Sequence, residues 1–381
     1  MSELHEILSK MLAVASDPFT TLAKWKQKHG RRIIGCLPMY FPEEIIHASR
    51  ALPVIVPECD EEPISLAHAH IQTYVCGYAR SAIDIALKGK LSFIDGYVSN
   101  DICHSTRGLA MMIEWDVKPT FYRGIAFPQV LKSPYAREYF NKVLRVFKGE
   151  FEEFMGKKIT DASLKKSILV YNKHRALIRR IYNLRRGNPS ALTGKQMWAV
   201  VASSMYMPKE DHNQLLEELV PMLEARKPEK PDERVRLVLA GGLCEGAPPE
   251  LFDLIEEIGA VVVDDDLYVG SRYIGIDANP TIKPMDAIAD RYLNMDPPCP
   301  TRVDDGGDWA EYLINMVKQA KAKGIVTIMA KYCEPHSIYY PHVMHSLKDE
   351  GIPELMLETE HGIFPGGQFR TRLEAFLEMI S

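Results

Sequence analysis

The chain has 381 residues, 46% hydrophobic and 25% charged, with a net charge of −5. That length argues for two or three domains, and the composition is ordinary for a soluble globular protein. The acidic balance offers no broad basic face to nucleic acid, so an anionic ligand would need a local cationic site.

Residues 1–17 are charged and amphipathic, with Leu4, Ile7, Leu8, Met11 and Leu12 as the apolar set. They lack the apolar core and small-residue cleavage site of a signal peptide. A βαβα rhythm follows. Arg32–Leu37 reads as a strand, and Pro42–Ser49 as a helix with Glu43 and Glu44 in its first turn. Pro53–Pro57 is the next strand, Ser65–Leu87 one long helix, Phe93–Val98 a third strand and Thr120–Tyr122 a fourth. From Ser133 to Ala225 strand patterns stop, and helices are predicted over Pro134–Phe154, Asp161–Asn183, Gly194–Met205 and Asp211–Arg226. Lys227–Glu233 is charged and Pro-rich, and is the best linker. Strands then recur at Val235–Ala240, Ala260–Asp264, Gly324–Ala330 and Glu354–Glu358, among helices at Pro248–Ile258, Asp308–Ala322, Ser337–Gly351 and Thr371–Ile380.

The expected fold is therefore α/β, with two Rossmann-like parallel-sheet domains facing a cleft. The divisions are an N-terminal α/β domain with a leading helix (1–132), a helical region and linker (133–230), and a C-terminal α/β domain (231–381). No apolar run is long enough to span a bilayer. Seven scattered cysteines form no dense disulfide framework and no CxxC pair. We therefore expect a reduced, cytoplasmic protein with neither a membrane nor a nucleic-acid partner.

Three cysteines stand out: Cys76 in Tyr-Val-Cys-Gly-Tyr-Ala-Arg80, Cys103 in Asp101-Ile-Cys-His-Ser-Thr-Arg107, and Cys333 in Lys331-Tyr-Cys-Glu-Pro335. Cys103 and Cys333 follow strands at comparable positions in the two α/β domains, where sites of open parallel sheets form. Cys76 lies on or near the long second helix. Each has a cationic neighbour (Arg80, Arg107 and Lys331), which favours thiolate over thiol. The competing role for each is that of a small buried hydrophobe, and spacing alone does not separate the readings. Cys36, Cys59, Cys244 and Cys299 read as structural, Cys244 being the runner-up ligand because it too follows a strand. Asp264-Asp-Asp266 reads as a strand end with a solvated turn.

These contexts resemble the benzoyl-CoA reductase and 2-hydroxyacyl-CoA dehydratase family of catalytic subunits. Its landmarks occur in order: Gly35-Cys-Leu-Pro-Met-Tyr-Phe-Pro-Glu-Glu-Ile-Ile-His-Ala48, Cys76–Ser81, Phe93–Tyr97, Cys103–Arg107, Asp265–Arg272, Lys331–Pro335 and Gly367–Phe376. Ser49-Arg50 departs from the pattern, since relatives often carry a small residue or glycine there. The resemblance implies that Cys76, Cys103 and Cys333 hold a [4Fe–4S] cluster with one iron open. It is nearest to the smaller catalytic subunit of an ATP-dependent benzoyl-CoA reductase, which reduces an aromatic acyl-CoA ring in low-potential one-electron steps during anaerobic aromatic degradation. The alternatives are a 2-hydroxyacyl-CoA dehydratase subunit, acting through a ketyl, and an electron-relay or structural subunit. The implied partners are a paralogous larger catalytic subunit, ATP-hydrolysing activator subunits with their own cluster, and the acyl-CoA substrate.

A low-potential electron needs coupled energy input, yet no Walker A pattern is present: Leu192-Thr-Gly-Lys195 lacks the earlier glycine, and Gly241–Gly246 lacks Lys-Ser/Thr. Candidate proton or hydrogen-bond donors are His104, Ser105 and His336, with a helix N-cap as the competing role for Ser105. Arg272 and Arg370 are candidates for CoA phosphates, with ordinary salt bridges as the competing role. The Gly241-Gly242 turn could cradle a phosphate or simply reverse the chain.

Overall fold

The structure is a computed structural model that describes residues 2–37, 41–57, 63–226, 232–242, 244, 246–294, 308–360 and 364–381. Cys59, Cys299 and most of the expected linker lie outside them. Helices α1 (Glu3–Ser16) and α2 (Pro18–His29) precede strand β1 (Ile33–Leu37), α3 (Glu43–Ala48) and β2 (Leu52–Ile55). Next come α4 (Gly77–Leu87), β3 (Gly96–Asn100), α5 (His104–Met112) and β4 (Tyr122–Ile125). The helical segment is α6 (Ala136–Met155), α7 (Asp161–Gly187), α8 (Gly194–Ser203) and α9 (Lys209–Ala225). The rest is β5 (Val235–Gly241), α10 (Pro249–Glu257), β6 (Ala260–Asp266), α11 (Pro284–Leu293), α12 (Trp309–Gln319), β7 (Gly324–Ala330), α13 (Glu334–Asp349), β8 (Glu354–Thr359) and α14 (Gly366–Ile380).

Two four-stranded sheets result, ordered β2-β1-β3-β4 and β6-β5-β7-β8, and every pair in them is parallel. Strand for strand the two orders are the same, as a duplicated architecture requires. Strands β1 and β7 are buried along their whole length, which explains their nearly unbroken apolar or small-residue sequences. The helical segment shares one core with its neighbours. Phe140, Leu144, Ile178 and Leu216 pack with Met11 of α1, Cys36 and Val98 of the first sheet, and Ile288 of α11.

Several local readings are corrected. Ser65–Leu87 is not one helix: a short 3-10 turn at Leu66–Ala69 is followed by a loop, and α4 begins only at Gly77. The Asp84 carboxylate accepts from the Ser65 and Ala67 amides at 2.8 and 2.9 Å, folding this turn back against α4. The third strand starts at Gly96 because Asp95 is drawn aside, accepting from the Ile33 amide and Lys26 at 2.8 Å each. Arg50 adopts φ 74°, the left-handed conformation that glycine takes without steric cost, so the departure from the family pattern falls where the backbone resists a side chain.

Asp264, Asp265 and Asp266 form the buried end of β6 rather than a solvated turn. Asp264 accepts from Arg186 at 2.6 Å, and Asp265 from the Tyr182 hydroxyl at 2.6 Å and the Ser271 amide at 2.8 Å. Asp266 accepts from Trp309 Nε1 and Arg272 Nη2, both at 2.6 Å. Burial is tolerated because each carboxylate has donors. A second buried network joins the units: Arg175 of α7 donates to Glu44 of α3 at 3.2 Å, and the Tyr273 hydroxyl donates to Glu43 at 2.7 Å. Burial alone would raise the Glu44 carboxyl, but Arg291 and Arg175 outweigh it and hold it below the ordinary range.

Removing Arg175 by Arg175→Ala takes from the buried Glu44 carboxylate its hydrogen-bonding cation, leaving only Arg291 to offset the charge, and is expected to cost about 3 kcal/mol in denaturant unfolding; a loss below about 1 kcal/mol would contradict the network's role. Burial, reinforced by neighbouring Asp264, raises Asp265 to about 6 against the Tyr182 hydrogen bond. The folded chain thus holds this proton more tightly than the unfolded chain does, and stability should fall as pH rises from about 4 to about 6. Asp265→Asn should flatten that part of the stability–pH curve, and an unchanged slope would refute the assignment.

Candidate functional site

Each of the three singled-out cysteines is the residue at which a helix begins: Cys76 caps α4, Cys103 caps α5 and Cys333 caps α13. At Cys103 the sulfur itself works as the cap. The Thr106 amide donates to Sγ at 3.5 Å, while Thr106 Oγ1 accepts from the Cys103 amide at 3.2 Å, so a thiol completes a capping box. Cys103 therefore takes the cap position considered for Ser105, which instead lies half-buried within the first turn. At Cys333 the turn is set by Tyr332 in the left-handed region (φ 62°), with the Cys333 amide donating to the Ala330 carbonyl at 3.1 Å. Pro335 in the first turn suits a helix start. At such positions helix dipoles and open backbone amides favour anionic sulfur.

Cys103 lies three residues beyond Asn100, the end of β3, and Cys333 three beyond Ala330, the end of β7. β3 and β7 hold the same place in their sheets. Cys244 lies three beyond Gly241, the end of β5, and packs with Cys76 against the core between α4 and the first sheet. The carboxyl edges of the two sheets are tied together here. Arg80, one turn into α4, bonds Glu360 at 2.9 Å, and Lys331 approaches the same carboxylate at 3.6 Å. His104 faces Glu334 at 3.8 Å, joining the first turns of α5 and α13. An ion-pair web thus runs past all three cysteines. Arg107 turns instead to Asp101, at 2.6 Å.

Of the candidate donors, His104 is the open one, with its side chain 80% exposed. His336 is buried at 1% exposure, its Nδ1 3.3 Å from Cys333 Sγ. Burial, then Arg272, pushes its pKa down to about 3. Arg272 is also buried, bound to Asp266 rather than presented to solvent. Arg370 lies on the surface, paired with Glu257 and Glu374. Cys36 is in the core, and burial, then Glu43, pushes its thiol up, in keeping with a structural residue. Asn100 escaped the sequence reading. It is buried at 2% exposure at the end of β3, and among the described residues neither carboxamide atom has a partner. Its only sequence signal is its place three residues before Cys103.

Among the described residues no three His, Cys, Asp or Glu side chains surround a single ion. The thiols of an iron–sulfur cluster need not converge so closely, because each binds a different iron. Among them, too, no helix is long and apolar enough to cross a membrane.

Residues 38–380 match the model of the family described as 2-hydroxyglutaryl-CoA dehydratase, D-component. The chain is 27% identical to the (R)-phenyllactyl-CoA dehydratase beta subunit of Clostridium sporogenes, and 28% identical to the lactoyl-CoA dehydratase subunit beta of Anaerotignum propionicum, over 100% of each chain in both cases. It is 28% identical to a benzoyl-CoA reductase subunit of Thauera aromatica, over 91% of both chains.

Proposed function

The chain belongs to the 2-hydroxyglutaryl-CoA dehydratase D-component family, and on that footing we propose that it is a subunit of an acyl-CoA enzyme in which Cys76, Cys103 and Cys333 hold a [4Fe–4S] cluster. The observation that carries this reading is the start of three helices at these three cysteines. The donor set fits the group: three thiolates of net negative charge, each at the positive end of a helix, and one of them already accepting a backbone N–H. The unpartnered Asn100 carboxamide beside Cys103 offers both a donor and an acceptor to a bound group. Once bound, the cluster would supply single electrons to an acyl thioester, with one iron left open by the three-cysteine set.

The chain's own residues would do the rest. The helix starts hold the sulfurs against the charge they carry. Arg80 and Lys331, gathered on Glu360, keep the two sheet edges in register around them. His104, exposed and paired with Glu334, is the group able to exchange a proton with solvent or substrate at the rim. His336 is buried, away from that rim.

Within this class we assign the chain to benzoyl-CoA reduction, as the smaller catalytic subunit beside a larger paralogue and an ATP-hydrolysing activator. The Gly35–Ala48 opening and the similarity to a benzoyl-CoA reductase subunit support this reading. The second reading, a dehydratase subunit, is favoured by relatives of that class that align from end to end.

Anaerobically purified protein is expected to carry about four iron and four sulfide per chain. Cys333→Ser should lose the cluster or make it labile, while Cys244→Ser should keep it; a full, unaltered cluster in the first variant would sink the ligand assignment. Reductant consumption separates the two chemistries. With benzoyl-CoA, ring reduction should use reductant and ATP in proportion to product. Turnover of a 2-hydroxyacyl-CoA with only catalytic reductant would overturn the reductase assignment in favour of the dehydratase.

A further inference from the structure

Four features remain unexplained by the proposed chemistry: the buried His336, the Asp264–Asp266 run, the buried Arg272, and the Gly241-Gly242 turn. They meet at one place. His336 lies on the first turn of α13, with Nδ1 3.3 Å from Cys333 Sγ. The Trp309 ring stands edge-on to the imidazole at 89°, with centroids 5.1 Å apart, and Tyr268 packs at 6.0 Å and 70°. Trp309 is fixed in turn, because its Nε1 donates to Asp266, which also accepts from Arg272. The remaining wall is backbone. A Cβ on Gly242 would stand 2.5 Å from His336 Nδ1 and 2.6 Å from Cγ, so only glycine lets the ring reach this position. The neighbouring Gly241 lies against the Ile328 carbonyl, where a Cβ would approach to 2.0 Å at φ 146°, and this keeps the β5 end pressed onto β7. The turn thus leaves room for the imidazole at this position.

We propose that His336 is a positioning residue for Cys333, its imidazole N–H held by the Asp266–Trp309 pair and by Gly242 so that it donates to the sulfur. This inference rests on Cys333 being a cluster ligand. A thiol can itself donate to a ring nitrogen, but a sulfur bound to iron can only accept. Loading of the site therefore selects the tautomer with the proton on Nδ1, leaving Nε2 as the acceptor that has no partner among the described residues. Hydrogen bonds to the sulfurs are among the factors that set a cluster's reduction potential. A donor to a thiolate offsets the negative charge gained on reduction, so it makes the cluster easier to reduce.

The test uses the full chain, anaerobically purified with its cluster, in His336→Leu, His336→Asn and Gly242→Ala forms. The readouts are iron content, the electron paramagnetic resonance spectrum of the reduced cluster, and its midpoint potential. His336→Leu is expected to keep iron but shift to a more negative potential, by about tenfold in the one-electron equilibrium, which is about 59 mV. His336→Asn, whose amide N–H can stand in for Nδ1–H, should restore most of the shift. Gly242→Ala, which keeps the histidine but displaces the ring, should move the potential as His336→Leu does. A full cluster with unchanged potential and spectrum in His336→Leu overturns the proposal. If His336→Leu loses the cluster, loading restored in His336→Asn supports the donor role, and loss in both variants overturns it. An unaltered cluster in Cys333→Ser would instead break the ligand assignment beneath it, so the two failures are distinguishable.

Discussion

The site depends on one recurring constraint: a parallel strand ends, the chain turns within three residues, and a helix begins at a cysteine. Asn100 to Cys103 and Ala330 to Cys333 follow the same count. Parallel strands require crossover helices, so a helix start at the carboxyl edge comes with the topology. A sulfur at that start meets open amides and the positive end of the dipole with no further device. Cys76 reaches the same condition by a different route, through a loop that Asp84 folds back onto α4.

Much of the scaffold was legible in the sequence because parallel strands buried on both faces leave uninterrupted apolar runs. β1, β5 and β7 fall within a residue of the stretches that such runs mark out. The family landmarks singled out the cysteines, where spacing alone could not. What was hidden depends on partners far away in the chain. Asp264–Asp266 look like a solvated turn until Tyr182, Arg186 and Trp309 supply donors. Arg272 looks free to bind a phosphate until Asp266 claims it. The break before Cys76 is set by a carboxylate on the following helix, and no helix propensity encodes it. Helix α11 was not read from the sequence, although Met285, Ile288 and Tyr292 form an apolar stripe that packs in the central core.

The buried polar groups divide between two tasks. Glu43, Glu44, Arg175 and Tyr273 lie where α3, α7 and the segment after β6 meet, and they fix how the units pack. Asp266, Trp309 and His336 lie inside the C-terminal unit and end at a sulfur. Glycine does opposite work in the two units: Gly242 makes room for a ring, whereas the first unit tolerates Arg50 where glycine would be at ease.

The strength of the contacts between the two units is unevenly distributed, and this has a mechanical consequence. On one side lie the dry hydrogen bonds of Glu43 and Glu44, whose loss costs several kcal/mol. At the cysteine edge the units meet through Arg80–Glu360, whose arginine is buried and whose carboxylate is half-buried, and through the exposed His104–Glu334, a wet contact worth at most about 1 kcal/mol. The molecule is thus bound like a book, with a glued spine and a lightly clasped fore-edge. Separating the pages at the cysteine edge breaks one half-buried ion pair and a wet contact while the spine stays shut, and raised ionic strength weakens the exposed part of the clasp without touching the binding.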